Sequence, residues 1–558
     1  QNISDILQAI SRAKDEVVNA ERYWQLAETM LQNATTSDDQ EAAEKAIEVA
    51  QVYTAYEALK QQAGCIDFGD LVLLPVLLLE KHINIRRHLS QNYDHILVDE
   101  YQDVNRSSVR LLKALCNDGE NLWAVGDAKQ SIYRFRGASS YNMARFGQED
   151  FPDGKRGRLK QNYRSVEEIV RSFSTFAVGM ETGDANSGLE AYRSACSESP
   201  KFYTVNQSKE QTVALADSIE AQLEHGYFYR DQAVLCTGNT KLSNLAQDLE
   251  HLGIPVLFLG SLFERAEVKD AFSLLSLLID QRAMGLVRIA CWPEFNMSMA
   301  DVATVIDYLR QQEESTKGWL DRITAIPNVS VSGQTALTKI AKVLEGFDQT
   351  SSPWIVLATV LLERTQLGTE IATSNDIRER SKGIALWQVM NFIRTQPASQ
   401  GLPIKRLLER VRRLIRLGDD RGLYQLPAAA QGLNAVRLMT IHGAKGLEFP
   451  IVHVPQMNAG TIPRTPPTPP CPPPDGMVEG GQGTAQEVFR SEQAQEQECL
   501  FYVAVSRARD RLFFYAPTQK SNGRTWKESP FLSRIGSNLT KQHITPSRRL
   551  PEVPEDRN

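Results

Sequence analysis

Ile96-Leu97-Val98 is a short apolar run that stops at two adjacent carboxylates, Asp99 and Glu100. The run has the composition of a strand buried on both faces. Gln102 and Asp103 follow, and Val109, Leu112 and Leu115 then recur at helical spacing. A strand that ends in carboxylates and turns into a helix places them at the carboxyl edge of a parallel sheet, where open α/β sheets bind ligands. This stretch confines the chain to an α/β architecture. Mg²⁺ takes oxygen ligands and keeps several waters, so Asp99 could hold it while Glu100 orients and deprotonates a water. The competing explanation is an acidic helix N-terminus, with carboxylates placed for capping and for the dipole. The second acidic–amide pair and the motif at 121–138 favour nucleotide hydrolysis.

A chain of 558 residues exceeds one core, so several domains are expected. The hydrophobic share of 42% and charged share of 23% are those of a soluble globular protein. A net charge of -6 does not advertise nucleic-acid binding, which depends on a local basic patch and not on the total. The 7 cysteines stand singly, which argues against zinc, iron–sulfur and disulfide frameworks and fits a reducing, cytoplasmic setting. The longest apolar run, Leu71 to Leu79, is broken by Pro75 and is too short to span a bilayer. No secretory signal is visible. A chain that opens on Gln1 instead of Met is expected to lack its natural N-terminus.

Residues 1–63 read as helices, with Val49, Val52, Tyr53, Tyr56 and Leu59 on one stripe, a connection and cap at Ser37-Asp38-Asp39, and an end at Gly64. Asp67 and Asp70 open a very apolar helix as caps. In NLWAVGDAKQSIYRFRGA (121–138), Leu122 to Val125 form a buried strand and Gly126-Asp127 a tight turn. Gln130 then lies just beyond the sheet edge, where an amide could contact a terminal phosphate and an attacking water. Tyr133, Arg134, Phe135 and Arg136 alternate ring and cation, which suits single-stranded nucleic acid; an ordinary strand with one solvated face is the alternative. LKQNYRS (159–165) is a basic–aromatic connection.

A second set of α/β signals follows, with strands in 201–207 and 232–237, a helix over 211–223, and a helix end followed by a strand in 251–260. Residues 261–428 are helical in character. Their final helix, Ile404 to Leu417, carries Leu407, Leu408, Val411, Leu414 and Ile415 on one face and six cations largely elsewhere. Most such charge runs are solvated faces; a duplex-phosphate role is the other possibility. Two strands in AVRLMTIHGAKGLEFPIVHVPQM flank a turn with Thr440, His442, Lys445, Gly446 and Glu448. The Pro-rich stretch from Pro463 to Pro474 and the Gly-rich one to Gly483 read as a mobile surface loop. A helix from about Ala494 carries Arg507 near its end, and a strand follows at Leu512 to Tyr515. The polar tail after about 540 is expected to be disordered.

DEYQD, VGDAKQSIYRFRGA, LKQNYRS, RLMTIHGAKGLEFP and LFYVAVSRARDRL stand in the order found in the UvrD/Rep/PcrA-like superfamily-one DNA helicases, which this chain resembles. IDFGDL and LFERAEVKD resemble minor signatures of the same family. The resemblance implies two RecA-like parallel-sheet domains, the first incomplete, with helical insertion domains. Residues 1–63 would be the helical insertion of the first domain and 64–165 its remainder. Residues 166–260 and 429–540 would be the two parts of the second, 261–428 its helical insertion and 541–558 a tail. The resemblance further implies ATP and Mg²⁺ as cofactors. It also implies 3′ to 5′ movement on single-stranded DNA, or at single/double-strand junctions, in repair, replication or recombination, with no membrane association. Protein partners are not indicated.

Residue by residue, Asp99 resembles the Mg²⁺-binding aspartate, Glu100 the base that activates water and Gln130 the γ-phosphate sensor. Tyr163 resembles the ring that stacks on adenine, Arg164 a phosphate-contacting arginine and Glu448 the ribose contact. Arg507 resembles the arginine that completes the γ-phosphate clamp. Tyr133, Phe135, Arg136 and His442 resemble DNA-track residues, although the family commonly has Trp where this chain has Phe135. Two cations across a cleft suit phosphoryl transfer, which is mostly charge stabilisation and positioning.

One departure stands out. The sequence contains no Gly-x-x-x-x-Gly-Lys-Ser/Thr P-loop; Gly154-Lys155 lacks the first glycine and continues into Arg-Gly. The family's P-loop precedes the first insertion, so the expected missing piece is at least two β–α units, roughly 60 residues. Without that cradle the phosphates have no primary site, and this chain alone is expected to be inactive. A non-enzymatic descendant that binds DNA or a partner is the alternative. Retention of Asp99, Glu100, Gln130, Arg164 and Arg507 favours the ATP-driven enzyme. A helicase–nuclease is disfavoured, since nothing after Arg507 supplies a carboxylate-rich module.

Overall fold

The computed structural model describes the chain apart from residues 1, 117–118, 135–139, 182–187, 197, 259, 261, 312–318, 321–322, 324–325, 375, 397–400, 418–431, 466–468, 481–482, 547 and 551–558. Its strands are β1 (Ile96–Val98), β2 (Leu122–Ala124), β3 (Gln161–Val166), β4 (Glu190–Arg193), β5 (Lys201–Val205), β6 (Gln232–Cys236), β7 (Val256–Leu257), β8 (Val436–Thr440), β9 (Phe449–Val454), β10 (Ala508–Pro517) and β11 (Thr540–His543). Two compact units emerge, one from residues 1–215 with 440–549 and one built on 216–439. No helix among the described residues is long and apolar enough to cross a membrane.

The first unit begins with helices Ile3–Asp15, Ala20–Asn33 and Ser37–Ala63. The third begins at Ser37, so the expected connection Ser37-Asp38-Asp39 is its first turn. Thr36 is its cap, accepting the Asp39 N–H while Asp39 accepts the Thr36 N–H, both at 3.1 Å. Gly64 ends it with a left-handed φ of 62°, a conformation that favours glycine. Asp67 and Asp70 cap each other's backbone reciprocally at 3.0 and 2.9 Å. Both also bind the buried Lys14 Nζ at 2.6 Å.

β1 and β2 pair in parallel, Leu97 opposite Trp123. The burial expected on both faces of β1 is not what forms. Ile96, Val98, Leu122 and Ala124 pack towards Tyr101, Val109 and Phe151, whereas Leu97 is 79% and Trp123 68% exposed. In this two-stranded sheet one face is covered and the alternate side chains point away from that cover. β3 pairs with β4, and β11, β5, β10 and β9 lie side by side in that order, all parallel. The start of the tail, expected to be disordered, is β11, held on β5 with Thr540 opposite Lys201. The Pro-rich stretch is likewise anchored. Cys471, inside the proline run, and Met477, just beyond it, are buried with Ile10, Tyr23, Leu26 and Tyr53.

The second unit carries strands in the order β6-β8-β7, with β7 and β8 parallel. Its helical part has one continuous core that includes Leu274, Leu286, Val305, Leu337, Val356, Val389 and Ile404. Helix Pro403–Leu417 buries Ile404, Leu407, Leu408 and Val411 and leaves Lys405, Arg410, Arg412 and Arg413 exposed, the amphipathic arrangement its sequence predicts as far as Val411, whereas Ile415, expected on the apolar face, is exposed.

A buried charge cluster in the first unit makes stability depend on pH. Arg12 donates to the Arg134 carbonyl at 2.7 Å and lies 3.5 Å from both Glu16 and Glu492. Arg134 donates to the Glu492 carbonyl at 3.2 Å and to Gln495 Oε1 at 2.7 Å. Burial raises Glu16 and Glu496 each to about 7, outweighing Arg12 and Arg134, and raises Asp15 to about 6. The folded state holds these protons more tightly than the unfolded chain, where the two glutamates titrate near 4.5 and the aspartate near 3.8. Their stabilising contribution is complete below those values and is lost as pH rises through about 7. The double variant Glu16→Gln/Glu496→Gln should therefore melt progressively higher than the parent as pH is raised from mildly acidic to mildly alkaline. A melting-temperature difference that stays flat with pH would refute this.

Candidate active site

The strand end at β1 sets the first wall. Glu100 has a φ of 54°, the left-handed region, which is costly for a residue with a Cβ and marks functional turns. Asp99 Oδ1 accepts the Glu100 N–H at 2.8 Å and so stabilises that turn. Both carboxylates are exposed. Buried Gln102 donates to the Glu100 carboxylate and accepts the Asp127 N–H at 2.9 Å; its carbonyl accepts from Ser131 Oγ at 3.0 Å. One amide thus ties the end of β1 to the end of β2. A Cβ at Gly126 would lie 2.7 Å from Gln102 Oε1 and displace that amide from the contacts it makes. Gln130, at the end of the short turn Ala128–Gln130, donates to Asp127 Oδ2 at 3.0 Å.

The second wall is the turn leading into β9. Lys445 is nearly buried. Its ammonium donates to the Gln130 carbonyl at 2.8 Å and to the Asp103 carboxylate, and stands 3.6 Å from Glu100 Oε2. It also lies over the Tyr133 ring, 5.2 Å from the centroid. Burial raises the Asp103 carboxyl above its ordinary range and Lys445 opposes that. His442 Nε2 contacts the Ile132 carbonyl at 3.1 Å, and Tyr133 OH donates to the His442 carbonyl at 3.4 Å.

The third wall is the end of helix Ala485–Ser506, where Arg507 is 2% exposed. Its guanidinium donates to the Val503 carbonyl at 3.3 Å, the Leu447 carbonyl at 3.2 Å, Ser506 Oγ at 3.0 Å and Gln130 Oε1 at 3.1 Å. All four acceptors are neutral, and among the described residues no carboxylate lies within ion-pair distance. Burial, reinforced by the neighbouring Arg164 cation, pulls the Arg507 pKa down to about 10. Arg164 donates to Glu448 Oε2 at 2.8 Å and to the Ser506 carbonyl at 3.2 Å. The Arg164 contact holds the Glu448 carboxyl below its usual range. Tyr163 and Tyr192 present adjacent exposed rings, 5.0 Å apart.

A buried cation lacking a carboxylate partner is costly. A second cation adjoins it, and exposed carboxylates stand on the opposing wall. The arrangement is suited to a polyanion bound with a hard divalent cation.

Glu100, Gln130, Arg507, Arg164 and Glu448 thus belong to one connected set of contacts, with Asp99 joined through the backbone of Glu100 and Tyr163 beside Arg164. Tyr133 and His442 bond to one another on the far side of Lys445. Phe135 and Arg136 lie outside the described residues. Lys445, Asp103 and Gln102 were not assigned roles from sequence. Their signal was positional: Gln102 and Asp103 form the acidic–amide pair after Glu100, and Lys445 lies in the same turn as His442 and Glu448.

Residues 2–152 match the UvrD/REP helicase N-terminal domain, and residues 158–329 and 355–519 match the UvrD-like helicase C-terminal domain. The ATP-dependent DNA helicase PcrA of Leuconostoc citreum is 24% identical over 544 residues, which cover 96% of this chain and 67% of that protein. The ATP-dependent DNA helicase UvrD1 of Mycobacterium tuberculosis (strain ATCC 25618 / H37Rv) is 28% identical over 568 residues, 95% of this chain and 68% of its own. PcrA of Staphylococcus epidermidis (strain ATCC 12228 / FDA PCI 1200) is 26% identical over 531 residues, covering 91% and 64% respectively. The chain therefore spans about two thirds of the length of these relatives.

Proposed function

The chain belongs to the UvrD-like helicase family, and from that premise we propose that it is the motor portion of an ATP-driven DNA helicase. It would move 3′ to 5′ on single-stranded DNA in repair, replication or recombination, in the cytoplasm. The observation that carries this reading is Arg507, a buried guanidinium with only neutral acceptors, bonded to Gln130. Such a group calls for an anion, and a terminal phosphate supplies one.

In this reading Glu100 takes the proton of the attacking water and Gln130 positions that water. Arg507 and Arg164 offset the charge that develops on the transferred phosphate. Asp99 would hold Mg²⁺, which neutralises phosphate charge when bound. Glu448 meets the ribose and Tyr163 stacks on the adenine. Lys445 joins the Gln130 carbonyl to Asp103 and Tyr133, a direct link between the phosphate sensor and the proposed DNA track of Tyr133, Phe135, Arg136 and His442. We assign 64–165 to one RecA-like domain and 166–260 with 429–540 to the other, with 1–63 and 261–428 as their insertions.

The 558 residues include no P-loop motif, so by themselves they should turn over no ATP. In a chimera that supplies a Gly-x-x-x-x-Gly-Lys-Thr β–α segment ahead of residue 2, duplexes with a 3′ single-stranded tail should be unwound and those with a 5′ tail should not. Steady DNA-stimulated turnover by the 558 residues alone, or a preference for 5′ tails, would sink the proposal.

A further inference from the structure

A groove in the second unit has the chemistry of a nucleic-acid site separate from the proposed track. It lies between helix Pro403–Leu417, the start of helix Pro353–Thr359 and the end of helix Ile377–Arg394. Trp354, Ile355, Arg394, Arg406 and Arg410 line it, and no carboxylate is among its lining residues. In a chain of net charge -6 this is a local reversal of sign. Ile404, Leu407, Leu408 and Val411 hold the apolar side of the helix in the core, with Leu407 also forming part of the groove wall, so the helix cannot roll its cations inward. Arg410 is exposed, with no ion pair among the described residues, and Arg394 donates to the neutral Asn391 Oδ1 at 3.0 Å. Trp354 is 39% and Ile355 51% exposed beside these guanidiniums.

The mixture selects among occupants. Guanidinium forks match phosphate oxygens, and an indole face stacks on a base of any identity. A regular duplex offers phosphates but no free base face for Trp354. An acidic peptide offers carboxylates without a base to stack. We propose that this groove binds a segment of single-stranded DNA, with phosphates on Arg394, Arg406 and Arg410 and a base on Trp354. The inference rests on the DNA-binding reading above and adds a second contact region to it.

The test uses the full chain and fluorescently labelled oligo-dT, with variants checked for unchanged melting temperature. Arg394→Ala/Arg410→Ala removes two phosphate contacts. It should weaken binding and flatten the log–log salt dependence by about 1.4, since each contact on a single strand contributes about 0.7. Trp354→Ala should weaken binding roughly ten-fold, within the range for one stacked base, and leave the salt slope unchanged. Photo-crosslinking of 4-thiothymidine-containing oligo-dT should label the peptide that holds Trp354. If the parent chain binds no oligo-dT, the DNA-binding reading fails together with this one. If the parent binds and Tyr133→Ala weakens it, while both groove variants bind as the parent does, this proposal alone is overturned. An effect of the arginine variants without any effect of Trp354→Ala would point to duplex phosphate and also overturn it. So would displacement of oligo-dT by polyglutamate as effective as by unlabelled oligo-dT.

Discussion

Arg507→Ala should lower DNA-stimulated ATP turnover in the P-loop-bearing chimera by about 1,000-fold, the lower end of what a γ-phosphate arginine contributes, while single-strand affinity changes less than two-fold. The reasoning is local. Among the described residues the guanidinium's hydrogen bonds end on Val503, Leu447, Ser506 and Gln130, and none reaches Tyr133 or His442. Its loss removes a charge matched to the transition state and leaves the proposed track in place. Arg507→Lys should recover only part of the rate, since an ammonium lacks the planar fork that can hold Gln130 and a phosphate together. Equal losses of turnover and of DNA affinity would argue against the assigned role.

Phe135→Ala should weaken single-strand binding by roughly ten-fold, because one stacked base is worth about 1–3 kcal/mol, with an unchanged salt slope since no phosphate contact is lost. Arg136→Ala should instead flatten the slope by about 0.7. Both residues follow Gln130 within six positions. One short segment thereby joins the proposed phosphate sensor to the proposed stacking ring. Arg134, between them, is bolted to helix Ala485–Ser506 through the Glu492 carbonyl and Gln495, the same helix that ends at Arg507. If Phe135 instead served only the core, Phe135→Ala would lower the melting temperature and leave affinity intact in the folded fraction. Binding at several salt concentrations, beside thermal melting, separates the two.

The strands that carry motifs were legible because each announces itself locally. The apolar run of β1 ends on carboxylates, β2 ends on Gly126-Asp127, and β9 follows the His442 to Glu448 turn. Arg507 was placed near the end of its helix for the same reason, although that helix begins at Ala485, well before the expected start. What local sequence does not carry is the partner across the fold. The Lys445–Asp103 contact joins residues 342 positions apart, and nothing near either announces the other. Burial was misjudged where it depends on neighbouring layers. Leu97 has the composition of a two-sided core strand, yet the covering helix and aromatic side chains lie on one face only. The segment around Cys471 and the start of the tail are packed where composition favoured mobility. Cys471 and Met477, and the pairing of β11 with β5, supply anchors too sparse for a compositional argument to register.

The central claim is that Glu100, Gln130 and Arg507 form a phosphate site whose chemistry is coupled to single-stranded DNA. The most direct measurement is ATP turnover by the chimera with and without oligo-dT, for the parent and for Glu100→Gln. The account predicts turnover by the parent only when the single strand is present, and loss of turnover in Glu100→Gln with nucleotide binding retained. Turnover that ignores the DNA, or that survives Glu100→Gln, would contradict it.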